Sequence, residues 1–550
     1  MDVGSVGSVF SGRRRRTGSA ESIVTVYKGE TLSLELKDLL LIVGFSVAYF
    51  SATAFLGTRA ILHTDELVIV YMAKLPTAAV LWNAIADDTL PPLAYYLTRI
   101  ALWLFGESHL VIRLPEMLGY WLMTVCIYLF VRGYVPARFA TVAMLTPLTT
   151  IAYSYSYFAR PYGLMLGFGT ASLLCWNNAR ASRSRVCWLI GLALSLACAL
   201  ASHWYAVLLF IPLALAEAVR LALTKQSDFP MWCALGLGSS SLLPLSQMIR
   251  GAQKFQSIMS TPVGITAILD AYQTLLHSTS LLLISLLILA WFSYEYSGSN
   301  EQKRNPETCR IPTDVTVLIA GLLLTPISGA GLAAFVTGVY SARYVFLTVV
   351  GVAIAVGLLV CKLEDGRRNR GIVALGVVAL ASMAQIYQNK STLLERSAIA
   401  ERTGLFAILG CSTALKDSNE PIIVSDIHSF YILQYYSPAR LSNRLVYLTE
   451  YNALASRMSK AMRRWNNWKV AEYKNFLGKH SEFFVYESQY SSLQAHSPLL
   501  ARLVVDGAQI SDSGCMDVRD VYPRPGLLYR VEFGTNITSN TIAQYRSRQM

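Results

Sequence analysis

The feature that most constrains this chain is the recurrence of long apolar runs. They lie near residues 39–57, 114–131, 139–153, 162–176, 188–201, 205–219, 233–249, 271–294, 315–337, 345–361 and 372–387. Each is close to the ~20 residues that cross a bilayer as a helix. Eleven such runs in 550 residues commit the chain to a polytopic membrane protein, because in lipid every backbone polar group must be satisfied within the span. Composition agrees: 54% of residues are hydrophobic and 15% charged, well below the charge of an ordinary soluble domain.

The net charge of +13 invites a nucleic-acid reading, and its distribution argues against one. Arg13 to Arg16 form the one dense basic run, while the other basic residues stand in short loops between apolar runs, as topology signals do. If 58–113 is a single external loop, the loops assigned inside carry Arg13 to Arg16, Lys28, Lys37, Arg132, Arg138, Arg180, Arg183, Arg185, Arg220, Lys225, Lys303, Arg304, Arg310, Lys362, Arg367, Arg368 and Arg370. Those assigned outside carry Arg59, Lys74, Arg99, Arg113, Arg160, Arg250, Lys254 and Arg343, a ratio of 20 to 8. Because cytoplasmic loops hold the excess of Lys and Arg, the N-terminus is expected inside and everything beyond Asn389 outside. Counting Pro92 to Phe105 as another crossing would reverse the bias, so that segment is assigned to the interface. No apolar signal core precedes Leu39, which makes the first run an uncleaved anchor, and the basic, Ser/Gly-rich residues 1–38 are expected to be a disordered cytoplasmic tail.

One external stretch concentrates the chemistry. His63 to Arg113 places Asp65 and Glu66 just past the first membrane exit and a second acidic pair, Asp87 and Asp88, before Pro91-Pro92. Ionisable groups beside lipid are expensive and need a reason. Between the acids, Leu67 to Ala86 and Leu93 to Phe105 have helical apolar spacing, each with a charge (Lys74, Arg99) and several Trp or Tyr residues, which suits helices lying along the interface.

The ordered set of Asp-Glu after a first span, an Asp shortly before Pro-Pro-Leu-x-Tyr-Tyr, Leu-Phe-Gly-Glu-Ser and Arg-Leu-Pro resembles the polyprenyl-phosphate-sugar-dependent membrane glycosyltransferases of the GT-C fold. The nearest similarity is to the protein O-mannosyltransferase and lipid A aminoarabinose transferase branch. It covers roughly the first two hundred residues well, Tyr340 to Tyr344 weakly, and the last part of the chain hardly at all. The resemblance implies a GT-C-like transmembrane catalytic domain (39–389) that moves a sugar from a polyprenyl-phosphate donor to a lipid, glycan or protein acceptor on the external face, with a bacterial inner membrane as the expected location.

Such a transfer needs a carboxylate near the acceptor nucleophile and cations for the leaving phosphate, all at one membrane face. Asp65 is the expected general base; the bland alternative is that it caps a helix beginning at Glu66. Glu66 and Asp88 are assigned to positioning the acceptor or a divalent cation. The resemblance favours Asp88, although the His or Lys that often precedes the prolines is missing here. Arg113, Arg160 and Arg343, the last two beside Tyr162 and Tyr344, are the candidate phosphate ligands, because guanidinium binds phosphate bidentately and stays charged near lipid. The alternative is that each anchors a helix end by snorkelling. His203, in Ala-Ser-His-Trp-Tyr, and Lys74 complete the candidate set; for His203 a place in the aromatic belt competes. His428 and His480 receive no role.

From Lys390 the chain turns polar, with strand-like runs at Pro421 to Ser425 and Glu482 to Tyr486 and a helical pattern around Ala453 to Trp468. These predict an external α/β domain over 390–550. The nine cysteines show no metal-ligand spacing, and only Cys411 and Cys515 lie where a disulfide is an option. A transporter or flippase of lipid-linked sugars is the competing function, but it calls for related halves and charges midway through spans, neither of which the sequence has.

Overall fold

The computed structural model describes residues 35–86, 90–180, 184–253, 263–277, 311–364, 369–403, 415, 418–449, 460–487, 498–512 and 527–533. It is mainly helical, with one small sheet. Helix α1 (Leu36–Arg59) carries its apolar residues on almost every side, and Leu39, Leu40, Val43 and Val47 are exposed, as lipid-facing side chains are. Its first turn is fixed at the end remote from the Asp65 loop, where buried Asp38 accepts hydrogen bonds from Tyr128 and Arg132.

The buried centre is α5 (His109–Arg132), which crosses α7 (Tyr162–Ala179) at backbone contact. A Cβ on Gly119 would lie 2.5 Å from the carbonyl carbon of Gly163, and one on Gly167 would lie 2.3 Å from the Gly119 oxygen. The spacing of Gly163 and Gly167 is the small-xxx-small pattern that lets membrane helices approach closely. This crossing fixes where α7 begins, and therefore where the Arg160 turn sits.

Not every expected span runs as one helix. The run 139–153 becomes α6 (Ala137–Leu145), nine residues or roughly half a bilayer, followed by 3₁₀ turns at Thr146–Thr149 and Ile151–Tyr157; Pro147 removes a backbone donor at the break. After α8 (Arg185–Ser202), the run 205–219 opens on a 3₁₀ turn, Trp204–Leu209, before α9 (Phe210–Thr224). The run 233–249 divides into α10 (Phe229–Ser240) and α11 (Ser246–Gln253). The run 271–294 is described only through α12 (Ile265–Leu276) and His277. The run 315–337 splits into α13 (Thr313–Leu323) and α14 (Thr325–Leu332), bent by 55° at Leu324 ahead of Pro326. Helices α15 (Leu347–Glu364) and α16 (Asn369–Thr403) follow, and α16 passes unbroken through Asn389, so the polar shift there is not a chain break. Among the described residues five helices are long and apolar enough to cross a membrane, or six with the bent pair. Several of the eleven expected spans are thus divided at proline breaks that hydropathy does not register.

The interfacial reading of the first loop translates into three short helices, α2 (Thr64–Ala73), α3 (Ala78–Ile85) and α4 (Leu93–Phe105). The segment Leu67 to Ala86, expected as one helix, is interrupted at Lys74 to Thr77 around Pro76.

The two strand-like runs are neighbours in a six-stranded sheet of order β3-β2-β1-β4-β6-β5: β1 (Ile422–Val424), β2 (Leu445–Leu448), β3 (Lys469–Ala471), β4 (Glu482–Glu487), β5 (Ala508–Asp512) and β6 (Leu527–Phe533). The first four pair in parallel and β6 joins β4 antiparallel, with Ile423 opposite both Val446 and Val485. Helix α17 (Ile427–Tyr436), capped by the Asp426 carboxylate on the Ser429 N–H, follows β1 and packs against α2. One face of the sheet, through Val424, Tyr447 and Tyr486, belongs to the same apolar cluster as Leu67, Val70 and Ile85 of the loop. Cys411, Cys515 and the helical pattern before Lys460 lie outside the described residues.

Candidate active site

The site begins with the N-terminus of α2. His63 is its N-cap: the His63 N–H donates to Glu66 Oε2 at 2.8 Å, while the His63 ring faces the Asp65 N–H at the 3.5 Å limit. Asp65 is therefore not the cap, and its carboxylate, 39% exposed, is free to face the site, where it pairs with the Arg160 guanidinium. Burial and the charge of Arg160 lower the pKa of His63, which keeps this cap neutral.

Glu66 and Arg113 explain why Asp65 and Arg160 meet. Both side chains are wholly buried, Arg113 donating to Glu66 Oε1 at 2.7 Å and Oε2 at 2.9 Å. Its remaining N–H groups go to the carbonyls of Gly57, Ala60 (2.8 Å) and Ile61 (3.1 Å), so all five donors are satisfied. Glu66 Oε1 also accepts the Ala159 N–H at 2.8 Å. One carboxylate thus joins the residue after Asp65 to the residue before Arg160. The expectations that Arg113 holds phosphate and that Glu66 positions acceptor or metal are corrected on this ground, since neither has a polar atom left to offer. The snorkelling alternative for Arg113 fails too, because its head points into protein.

Around Arg160 the protein supplies a second cation and a ring of phenols. Tyr162, at the start of α7, stands two residues beyond Arg160. Arg343, in the 3₁₀ turn Ala342–Val345, lies 5.5 Å from the Tyr344 ring centre, and its charge reaches the phenols of Tyr155 and Tyr162. Its buried Nε–H has no hydrogen-bond partner among the described residues. The Tyr162 ring is 5.0 Å from Tyr155 and 5.1 Å from His203, and His203 is 5.3 Å from Tyr344, which in turn is 4.8 Å from Tyr205. Tyr205 is braced by its hydroxyl on Thr337 and the Val339 carbonyl. Buried His203 accepts the Tyr205 N–H at 3.2 Å, and burial together with Arg343 and Arg160 pushes its pKa down to about 3. A place in the aromatic belt does not fit a ring packed among these side chains.

The structure therefore brings together Asp65, Arg160, Tyr162, His203, Arg343 and Tyr344. It places Lys74 elsewhere, paired with Glu107 at 2.7 Å, and Asp88 lies outside the described residues. Among the described residues no three His, Cys, Asp or Glu side chains gather as a metal set would. Sequence reasoning missed Tyr155 and Tyr205. Tyr155 follows a run read as a span, and its signal was the alternation in Tyr153-Ser-Tyr-Ser-Tyr157, too polar for a lipid-facing helix.

Known proteins resemble parts of this chain. A family model described as dolichyl-phosphate-mannose-protein mannosyltransferase matches residues 89–236. Among solved structures, ArnT from Cupriavidus metallidurans in the apo state aligns with a TM-score of 0.57 at 11% identity, over 90% of this chain and 97% of that one. The same protein bound to undecaprenyl phosphate gives a TM-score of 0.57 at 11% identity, over 89% and 98%. At such identity the likeness is one of fold. No curated protein matches the chain in sequence.

Proposed function

We propose that this chain, which resembles the GT-C-fold, polyprenyl-phosphate-sugar-dependent glycosyltransferases in the segment matched by the mannosyltransferase model and in overall fold, transfers a sugar from a polyprenyl-phosphate donor to an acceptor at the external face of the membrane. The observation that carries the reading is the half-exposed Asp65 carboxylate against Arg160, beside a second guanidinium whose buried Nε–H lacks a partner among the described residues.

In this mechanism an acceptor hydroxyl or amine attacks the anomeric carbon from the side opposite the phosphate. The carbon–oxygen bond to phosphate breaks, its electron pair leaves with the phosphate, and the configuration inverts. Asp65 takes the acceptor proton. A carboxylate suffices because the nucleophile grows acidic as the bond forms, so reach counts for more than a raised pKa. Arg160 and Arg343 bind the departing phosphate oxygens, Arg160 exchanging its hold on Asp65 for the phosphate, and the phenols of Tyr155, Tyr162 and Tyr344 orient the two guanidiniums. Neutral His203 fills the floor of this box. Asp88 stands as a proposal for holding the acceptor, with or without a divalent cation. Acceptors of the lipid, glycan and protein classes all fit this chemistry, and a bacterial inner membrane remains the proposed location.

The test is to incubate purified protein with a panel of labelled polyprenyl-phosphate sugars and follow which label leaves the lipid. Asp65→Asn keeps the shape and, with His63 as the cap, leaves helix α2 intact. Turnover is expected to fall by the ~10²–10⁴-fold typical of a lost general base while the melting temperature holds. Near-normal turnover in this variant removes Asp65 from the chemistry.

A further inference from the structure

Among the described residues the α/β region contributes none to the ring of Arg and Tyr described above, yet its helix α17 touches the segment that carries Asp65 at several points. The Tyr436 hydroxyl accepts the Leu62 N–H at 2.9 Å and lies 3.0 Å from His109 Nε2. A single phenol thus links the Leu62 N–H, three residues before Asp65, through α17 to the first residue of α5. Further along α2, the Tyr71 hydroxyl donates to the Tyr431 carbonyl at 3.1 Å, and its ring stands edge-on to Trp468 at 4.7 Å. The Tyr435 ring of α17 also stands edge-on to Tyr71 at 6.4 Å.

From these contacts we infer that the α/β domain is part of the catalytic unit: α17 holds the Ala60 to Glu66 segment in register, and Tyr436 is a positioning residue for Asp65. The inference rests on the reading of Asp65 as base. It deepens that reading by giving the C-terminal domain a task that binding an acceptor does not explain. The membrane side fixes this segment through Arg113, whose three backbone acceptors are Gly57, Ala60 and Ile61. Leu62 is the next residue, and its N–H is held from the opposite side. The turn leading into α2 is therefore clamped between two domains, and loss of either clamp displaces the carboxylate from its proton acceptor geometry without touching the phosphate site.

The experiment uses the full chain in nanodiscs and Tyr436→Phe, which removes one oxygen and keeps the ring against His109. With the polyprenyl-phosphate sugar that the unaltered protein turns over, kcat is expected to fall roughly 10- to 100-fold, the scale set by sub-ångström misplacement of reacting groups, with KM for the donor unchanged. Binding of polyprenyl phosphate alone should also be unchanged. Amide exchange over residues 60–66 should quicken, since the Leu62 N–H loses its acceptor. Unchanged kcat, or unchanged exchange in this segment, overturns the inference. Tyr71→Phe, which cuts the Tyr431 contact instead, serves if Tyr436→Phe does not accumulate; there kcat alone decides, and an unchanged kcat overturns the inference that α17 holds this segment. If the unaltered protein moves no sugar from any donor, the functional reading fails, and the exchange measurement still decides whether Tyr436 clamps the turn.

Discussion

At the scale of single residues, the two arginines that bracket the site answer to different forces. Arg113 sits in a buried pair whose loss of one partner would strand a charge, at about 3–5 kcal/mol, whereas Arg343 keeps a donor without a partner among the described residues. In sequence the two are alike, each following an apolar or aromatic stretch, so burial could not be told from function by neighbours alone. What sets Arg160 and Arg343 apart in the sequence is flanking Tyr in a short loop, and the structure places Arg160 against Asp65 and Arg343 beside Tyr344. The distinction predicts how Arg343→Lys behaves. Lysine keeps a point charge but loses the planar fork and its place beside the Tyr344 ring. Affinity for polyprenyl phosphate, read by titration of the purified protein, should drop about 10- to 100-fold, the equivalent of one or two charge-assisted hydrogen bonds, with no change in melting temperature. Unaltered affinity in both Arg343→Lys and Arg343→Ala would take this arginine out of the donor site.

At the scale of elements, the sequence was most legible where one signal decides the outcome. The short helices of the first loop, the strands at Ile422 and Glu482, and the helix α1 all follow from apolar periodicity. The spans cut by Pro147 or ending before Pro326 were misjudged, since a hydropathy run gives length without backbone continuity. The α5–α7 crossing was not read from the sequence, although Gly119, Gly163 and Gly167 encode it. A methyl group at Gly167 meets the Gly119 backbone, which cannot rotate away, so Gly167→Ala must part the two helices at about 1–3 kcal/mol of overpacking. Gly376, where an added methyl would have nothing within 4 Å, is the control and should accept Ala at no loss. Thermal unfolding in detergent should show a lower midpoint for Gly167→Ala alone. Because α7 begins at the Arg160 turn, Gly167→Ala should also raise KM for the donor; equal midpoints for the two variants would mean that the crossing is looser than backbone contact.

At the scale of the whole molecule, the question is which side of the membrane holds the site. The hydrogen bonds from α17 to Leu62 and Tyr71 put the sheet on the same side as Asp65. At the other end of α1 and α5, Asp38 is joined to Tyr128 and Arg132, and ion pairs link Arg180 to Asp314 and Arg185 and Arg220 to Asp228. Four of the twenty inside basic residues behind the 20-to-8 bias, Arg132, Arg180, Arg185 and Arg220, thus also tie helix ends together, and some of that bias reflects packing. On the positive-inside rule the bias still argues for the N-terminus inside and the sheet outside. In a background with all nine native cysteines replaced by Ser, a single cysteine at Lys479, exposed beside the sheet, should react with a membrane-impermeant maleimide added to intact cells. A cysteine at Lys37, 64% exposed at the start of α1, should react only after the membrane is opened. Reversed labelling would place Asp65 and the sheet in the cytoplasm and redirect the search for the acceptor to that side. Labelling of both positions from outside would contradict an odd number of crossings between Lys37 and Lys479, and with it the separation of the Arg132 end from the Asp65 end on which the external site depends.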